Sequence, residues 1–192
     1  MLAGGADATI APGVLLCWEG MRVLAPAPKD HPSRACRPFS LDRSGMVLGE
    51  GAGVVVLESW ERATARGADI IGELAGYGAT ADAGHITQPG IEAPARAIAL
   101  ALAQARLSTS EIDYVNAHGT ATRLNDATET KVIKRALGAD ARRVAISSTK
   151  AAHGHAMGAT AALELIAVLM SIRHGIVPPT IRGSWFLSRM PR

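Results

Sequence analysis

Ile112-Asp113-Tyr114-Val115-Asn116-Ala117-His118-Gly119-Thr120-Ala121-Thr122 is the stretch whose reading decides the fold. Ile112 to Ala117 has the length and apolar character of a short strand, and it runs into a glycine-bearing loop. A helix follows from Asp126 to Leu137, then a second strand from Val144 to Ser147. Strand, helix and strand at this spacing make a βαβ unit, whose crossover sets its strands parallel. Ligands of such sheets sit beyond the carboxyl ends of the strands, which is where His118 falls.

Working outward, residues 155–172 form a nearly all-apolar helix, which predicts burial. Upstream, Ile91, Ala95, Ile98, Leu102 and Ala105 recur at spacings of four and three, an amphipathic helix. Residues 70–82 read as a strand bent at Gly72, Gly76 and Gly78. Trp60 to Arg66 fits a short helix stopped by Gly67. The run from Gly45 to Glu58 ends in a Val-rich buried strand, and its glycines suit a bulge or a close approach of backbones. Residues 25–44 are a loop rich in Pro, Arg and Ser. Residues 10–24 are helical with Pro12 at the start, and 1–6 look like the end of a strand. The pattern predicts an α/β protein with a largely parallel sheet. Past Pro178-Pro179 it dissolves, and Arg182 to Arg192 continues nothing.

At 192 residues the chain has the length of one domain, and 48% hydrophobic with 19% charged residues excludes wholesale disorder. Seven aromatic residues stand against 36 alanines and 20 glycines, a composition that packs backbones close together. The net charge of +3 is mild and its basic residues are scattered, which argues against a nucleic-acid domain. Cys17 and Cys36 make no disulfide framework, so a reduced compartment is expected. Met1 to Asp7 carries no basic n-region of a signal peptide. The longest apolar run, Ala156 to Ile172, is short for a membrane span and holds Glu164 near its middle. A cytoplasmic protein without a membrane span is expected.

Three places put chemically capable residues at the ends of apolar elements. At the first, His118 follows a strand, with hydroxyls on Thr120 and Thr122 two residues apart. The second is Ser147-Ser148-Thr149-Lys150, after the next strand. At the third, His153-Gly154-His155 opens the apolar helix, whose dipole disfavours an imidazolium. A neutral histidine at a helix N-terminus can donate a hydrogen bond to a developing oxyanion. Each place has a plainer reading: a satisfied structural imidazole, a solvated or ion-paired lysine. His118, His153 and His155 also allow a metal reading, which is the weaker because no acid or thiolate falls at zinc-like spacing. Glu129 and Asp126 read either as a solvated acidic patch or, for Glu129, as a partner for Lys150. Glu164, alone among apolar residues, requires a donor or a cation.

Asn116-Ala-His-Gly-Thr-Ala-Thr122, Asn125-Asp126, Ser147-Ser-Thr-Lys150 and Gly154-His-Ala-Met-Gly-Ala159 together resemble the β-ketoacyl-acyl carrier protein synthases, the elongating condensing enzymes of the thiolase fold. Gly4-Gly-Ala-Asp7, Cys36-Arg-Pro-Phe39, Gly49-Glu-Gly-Ala-Gly53 and Val177-Pro-Pro-Thr180 fit the same family in order. The resemblance covers about residues 1–181, and its flavour is similar to the nodulation-type synthases. It implies a layered αβαβα fold, present incompletely. Residues 1–68 would be the end of the N-terminal half, 69–181 the C-terminal half, and 182–192 an unmatched tail.

The resemblance also implies a reaction, decarboxylative Claisen condensation of an acyl thioester with malonyl-acyl carrier protein to a 3-oxoacyl product. His118 and His155 match the histidines that polarise the malonyl thioester and stabilise its enolate. Lys150 matches the family's lysine, and Glu129 the carboxylate paired with it. Thr120 and Thr122 match the threonines holding the phosphopantetheine arm, the substrate carrier in a reaction without a cofactor of its own. Asn116 and Glu164 match positions tied to a structural cation in some members. An acidic carrier protein is the implied partner, with Arg22 as a contact, and a homodimer the implied assembly. The family's nucleophilic cysteine belongs to an Ala-Cys-Ser elbow ahead of Gly4, and its Gly-Phe-Gly-Gly loop follows the matched region. Neither is present, so the resemblance implies a fragment with hydrophobic faces left open. Cys17 would line an acyl pocket or the core; Cys36 has flanking Arg34 and Arg37 that favour a thiolate, but it matches a small-residue surface position and not the elbow. The alternative is a non-catalytic product or a chain-length-factor-like partner subunit. A nucleotide loop at Gly49 to Gly53 lacks the required glycine spacing and helix.

Overall fold

The computed structural model describes residues 1–85 and 88–181. The tail expected at 182–192 lies outside the described residues. In chain order the elements are β1 (Leu2–Asp7), α1 (Pro12–Gly20), β2 (Gly51–Val56), α2 (Trp60–Ala65), α3 (Glu92–Ala105), β3 (Tyr114–Asn116), α4 (Arg123–Leu137), β4 (Ala145–Ser147), α5 (Lys150–His153) and α6 (Met157–His174).

β3, α4 and β4 form the βαβ unit read from the sequence. The strands are parallel, with Tyr114 opposite Ala145 and Asn116 opposite Ser147. Behind them Ile133, Leu137 and Val144 make a buried cluster, against which Ile98 and Leu102 of α3 and Val115 of β3 pack. α4 begins three residues before the expected Asp126. The Thr122 hydroxyl accepts the Asn125 N–H at 3.2 Å and satisfies a donor that would otherwise be orphaned at the helix start.

The second pair departs from the parallel expectation. β1 and β2 run antiparallel, from Leu2 opposite Val56 to Asp7 opposite Gly51. Sequence pattern carries no sign of this, because the two strands are joined by a long excursion rather than a short turn. Alternate residues, including Gly5 and Gly53, face α6. A Cβ on Gly5 would overlap the Gly158 carbonyl, and one on Gly53 would press on Ala162 and Ile166. Glycine here lets helix and sheet backbones close together. The other face holds Leu2, Val54 and Val56, exposed at 73%, 62% and 72%. An apolar face this open agrees with the expectation of uncovered hydrophobic surface.

Three further expectations are corrected. Residues 70–82 belong to no ladder among the described residues. Gly76 and Gly78 lie against the α3 backbone at Ala101 and Ala97, and the Tyr77 N–H is taken by the Gln104 side chain at 2.6 Å. Helix packing, not strand pairing, uses these glycines. α6 is apolar yet mostly half-buried, with Ala159, Thr160 and Ser171 its buried residues. It is long and apolar enough to cross a membrane, but it packs on β1 and β2 and carries a paired carboxylate, as core helices do. Cys17 lies on α1, which buries none of its residues, so the thiol is exposed instead of lining a pocket or core.

Candidate active site

The β3 loop, the β4–α5 turn and the α6 N-terminus converge on one site. His118 leaves β3 on a loop shaped by Glu129, whose two carboxylate oxygens accept the N–H groups of His118 and Gly119 at 2.6 and 2.7 Å. The Ser148 hydroxyl donates to the Gly119 carbonyl at 2.8 Å and ties this loop to the end of β4. Ser148 N–H in turn donates to Thr180 Oγ1, and Ser147 Oγ to the Pro178 carbonyl, so the Pro-Pro-Thr segment braces the same strand end.

His155 is placed by backbone pairing with the glycine-rich run. Its N–H donates to the Val47 carbonyl at 2.7 Å, and its carbonyl accepts the Gly49 N–H at 3.0 Å. Gly49 therefore serves the close approach read from the sequence: a Cβ there would overlap the His153 carbonyl. The α6 N-terminus has no capping side chain of its own at Ala156. Asp7 of β1 supplies one from a distance, accepting the Gly158 N–H at 3.0 Å, while Thr9 donates to its other oxygen.

These supports bring the His118 and His155 rings to 5.3 Å between centroids, edge to face at 88°. His155 Nδ1 accepts the Met157 N–H at 3.1 Å, so its neutral ring carries the proton on Nε2. Burial, then the charge of Lys150, then His118 and His153 hold the His155 pKa down to about 4. Desolvation of the His118 ring and then Lys150 do the same there, again to about 4, although the residue as a whole is exposed. Both imidazoles are neutral near pH 7. His153, the third candidate, points its Nε2 at Thr149 Oγ1 at 3.0 Å, and burial pushes its pKa down as well. Among the described residues no three His, Cys, Asp or Glu side chains are arranged to hold a metal ion.

Lys150 is fully buried and its ammonium lies 2.5 Å from Glu164 Oε1. This corrects the expected pairing with Glu129. Glu129 is drawn to the backbone of the His118 loop, whereas Glu164, one helical stretch into α6, faces the lysine directly. The same ion pair satisfies the demand of Glu164 for a partner. It also bears on the structural-cation reading: the carboxylate is neutralised by Lys150. Asn116 keeps its buried amide atoms without a hydrogen-bonding partner. Burial pushes the Glu164 pKa up, and the Lys150 hydrogen bond and charge oppose that. Thr120 and Thr122 share a hydrogen bond of 3.0 Å, with Thr120 buried beneath the loop.

Cys36 is corrected too. It is buried, its Sγ donates to the Lys150 carbonyl at 3.2 Å, and burial pushes its thiol up, away from a thiolate. Asp126, read with Glu129 as a possible solvated patch, is 1% exposed. It accepts the Phe39 N–H at 2.7 Å and lies 3.7 Å from Arg43, pinning the Cys36-Arg-Pro-Phe loop over the site. Phe39 has φ of 62°, a conformation that this anchor helps to hold. The spacing of Asp126 from Ile133 and Leu137 places it on the buried face of α4, a signal present in the sequence.

The family models decide what this arrangement belongs to. Residues 1–63 match the β-ketoacyl synthase N-terminal domain and residues 71–184 the β-ketoacyl synthase C-terminal domain. The chain belongs to the β-ketoacyl synthases. This synthase chain is 53% identical over 180 residues to Nodulation protein E of a Rhizobium species, covering 94% of the chain and 43% of that protein. It is 46% identical over 183 residues to 3-oxoacyl-[acyl-carrier-protein] synthase 2 of Synechocystis, covering 94% and 44%. A solved type II polyketide synthase acyl-carrier protein in complex with its ketosynthase, bound to the hexaketide, superposes with a TM-score of 0.90 at 40% identity. The match covers 94% of this chain and 45% of that one. The thiolase-like fold expected from the sequence is thus shared, and the chain spans less than half the length of the curated relatives it matches.

Proposed function

We propose that this chain provides the decarboxylating half of a 3-oxoacyl-[acyl carrier protein] synthase site, acting on malonyl-acyl carrier protein in fatty-acid or polyketide-type synthesis. The observation that carries the reading is the pair of neutral imidazoles, His118 and His155. With the malonyl thioester oxygen between them, each ring donates an N–H, His155 from Nε2. The bond to the carboxylate breaks, carbon dioxide leaves, and the electron pair becomes an enolate whose oxygen the two donors stabilise. The enolate carbon then attacks the acyl thioester carbonyl, forming the carbon–carbon bond and expelling the carrying thiolate. Neutral donors suit this step, since an imidazolium would transfer its proton to the enolate and quench it.

Lys150 acts through its charge: buried beside Glu164, it opposes protonation of both imidazoles. Glu129 is a positioning residue that sets the His118 loop. Thr120 and Thr122 are assigned to the amides of the phosphopantetheine arm, and Arg22, exposed after α1, to an acidic carrier protein. The reaction needs no cofactor beyond that arm. A homodimeric, cytoplasmic synthase is the setting proposed. Cys36 donates its proton to the Lys150 carbonyl and Cys17 is on exposed α1, so the acyl group is assigned to a thiol other than these two. A purely non-catalytic partner subunit would have no need of two imidazoles held neutral and edge to face.

A chimera tests the reading. Residues of this chain replace the matching stretch of the Synechocystis synthase, and 3-oxoacyl product is measured with acyl- and malonyl-carrier protein. Product formation that depends on His118 and His155 is expected, with Cys36→Ala retaining activity. Turnover that survives His118→Ala or His155→Ala contradicts it.

A further inference from the structure

His155 has a second hydrogen-bonding partner on Nδ1. Thr160, one turn into α6 and 5% exposed, places its Oγ1 3.2 Å from that nitrogen. The Met157 N–H already points at Nδ1, so Nδ1 carries no proton and the threonine hydroxyl must be the donor. Serine and threonine hydroxyls in helices commonly turn back to the carbonyl four residues earlier. Here that carbonyl, on Ala156, accepts from Ala159 instead, and the Thr160 hydroxyl is directed to the ring. The backbone is bent to the same end: Met157 has φ of 37°, an uncommon conformation for a side chain of its size, at the residue whose N–H meets Nδ1.

We propose that Thr160 is a positioning residue that, with the Met157 N–H, fixes His155 as the Nε2–H tautomer and turns that N–H toward the substrate. The inference rests on the assignment of His155 as an oxyanion donor, and it says how the donor's identity is set. Two donors converging on one lone pair stabilise the neutral ring and oppose a proton at Nδ1. They act together with the groups that influence the ring, Lys150 and His153 of α5 and His118 of the β3 loop, and with the neighbouring carboxylates of Glu164 in α6, paired with Lys150, and Asp7 of β1, which accepts the Gly158 N–H. None of these is bonded to Thr160, so a change there leaves them in place.

The test is a titration of the full chain, uniformly 15N-labelled at histidine, followed through long-range 1H–15N correlations, with His155→Gln assigning the signal. The wild-type ring is expected as a single Nε2–H tautomer. In Thr160→Val the loss of one neutral hydrogen bond raises the His155 pKa by about 0.5–1 unit and admits the Nδ1–H form. Thr160→Ser restores both properties. Thr160→Ala, a better helix former than valine, gives the same readout should the branched side chain unfold the chain. Donor-free variants that titrate with the wild type, in the same tautomer, overturn the proposal. The titration needs no substrate, so its failure is distinct from retained decarboxylation in His155→Ala, which would overturn the catalytic assignment.

Discussion

The planes of the His118 and His155 rings meet at 88°, with 5.3 Å between their centroids. The two residues come from different elements and are held by different partners, one by the Glu129 carboxylate and the other by the backbone of the strand-like run at Val47 to Gly49. Neutrality of this pair has a cost that folding must meet, and it is visible as pH dependence. Both rings have pKa values lowered from 6.5 to about 4, so between these values the unfolded chain binds more protons. Their contribution to stability is therefore full above pH 6.5 and is lost as pH falls toward 4, with His153 acting in the same direction. Asp126 and Glu164 have raised values and act oppositely, since they gain protons more readily when folded. Urea midpoints measured from pH 7 to 4.5 are expected to fall less steeply in His118→Gln/His155→Gln than in the wild type. Identical slopes would contradict the neutral pair.

The partner of Lys150 is decided by a double-mutant cycle. Glu164→Gln leaves a fully buried ammonium without its carboxylate, a loss of about 3–5 kcal/mol. Lys150→Met combined with Glu164→Gln is expected to recover part of that loss. Glu129→Gln keeps one acceptor oxygen for the His118 loop and is expected to cost about 1–2 kcal/mol. The reverse order in urea unfolding would return the lysine to Glu129.

Thiol reactivity separates the cysteines. Cys17 on exposed α1 is expected to alkylate in the native chain, and Cys36 only after denaturation, because its proton is held by the Lys150 carbonyl and its surroundings exclude the reagent. Mass spectrometry after brief iodoacetamide treatment should find one modified cysteine under native conditions. Rapid native labelling of Cys36 would contradict its burial.

Local pattern sufficed where one element carried the whole signal. The β3–α4–β4 unit and the apolar α6 were legible because strand length, helical period and a glycine loop all agree within a short window. The demand of Glu164 for a partner was legible from burial energetics alone. Its partner was not, since the choice between Glu129 and Glu164 depends on which side chain faces Lys150 across two elements. The antiparallel pairing of β1 with β2 was hidden by the length of chain between them. The segment at 70–82 shows the opposite failure: alternating small and apolar residues look like a strand, but Gly76 and Gly78 are there to admit α3. Thr160 lay in plain view as one polar residue at the start of an apolar helix, and only the position of the His155 ring gives it a purpose.

The most direct test is carbon dioxide release from malonyl-carrier protein, followed in a single turnover apart from condensation. In the chimeric synthase, His118→Ala and His155→Ala are each expected to slow release by about 10²–10³-fold, the effect of losing one oxyanion donor. Acyl transfer to the enzyme thiol should be spared. Release at the wild-type rate in either variant would contradict the account.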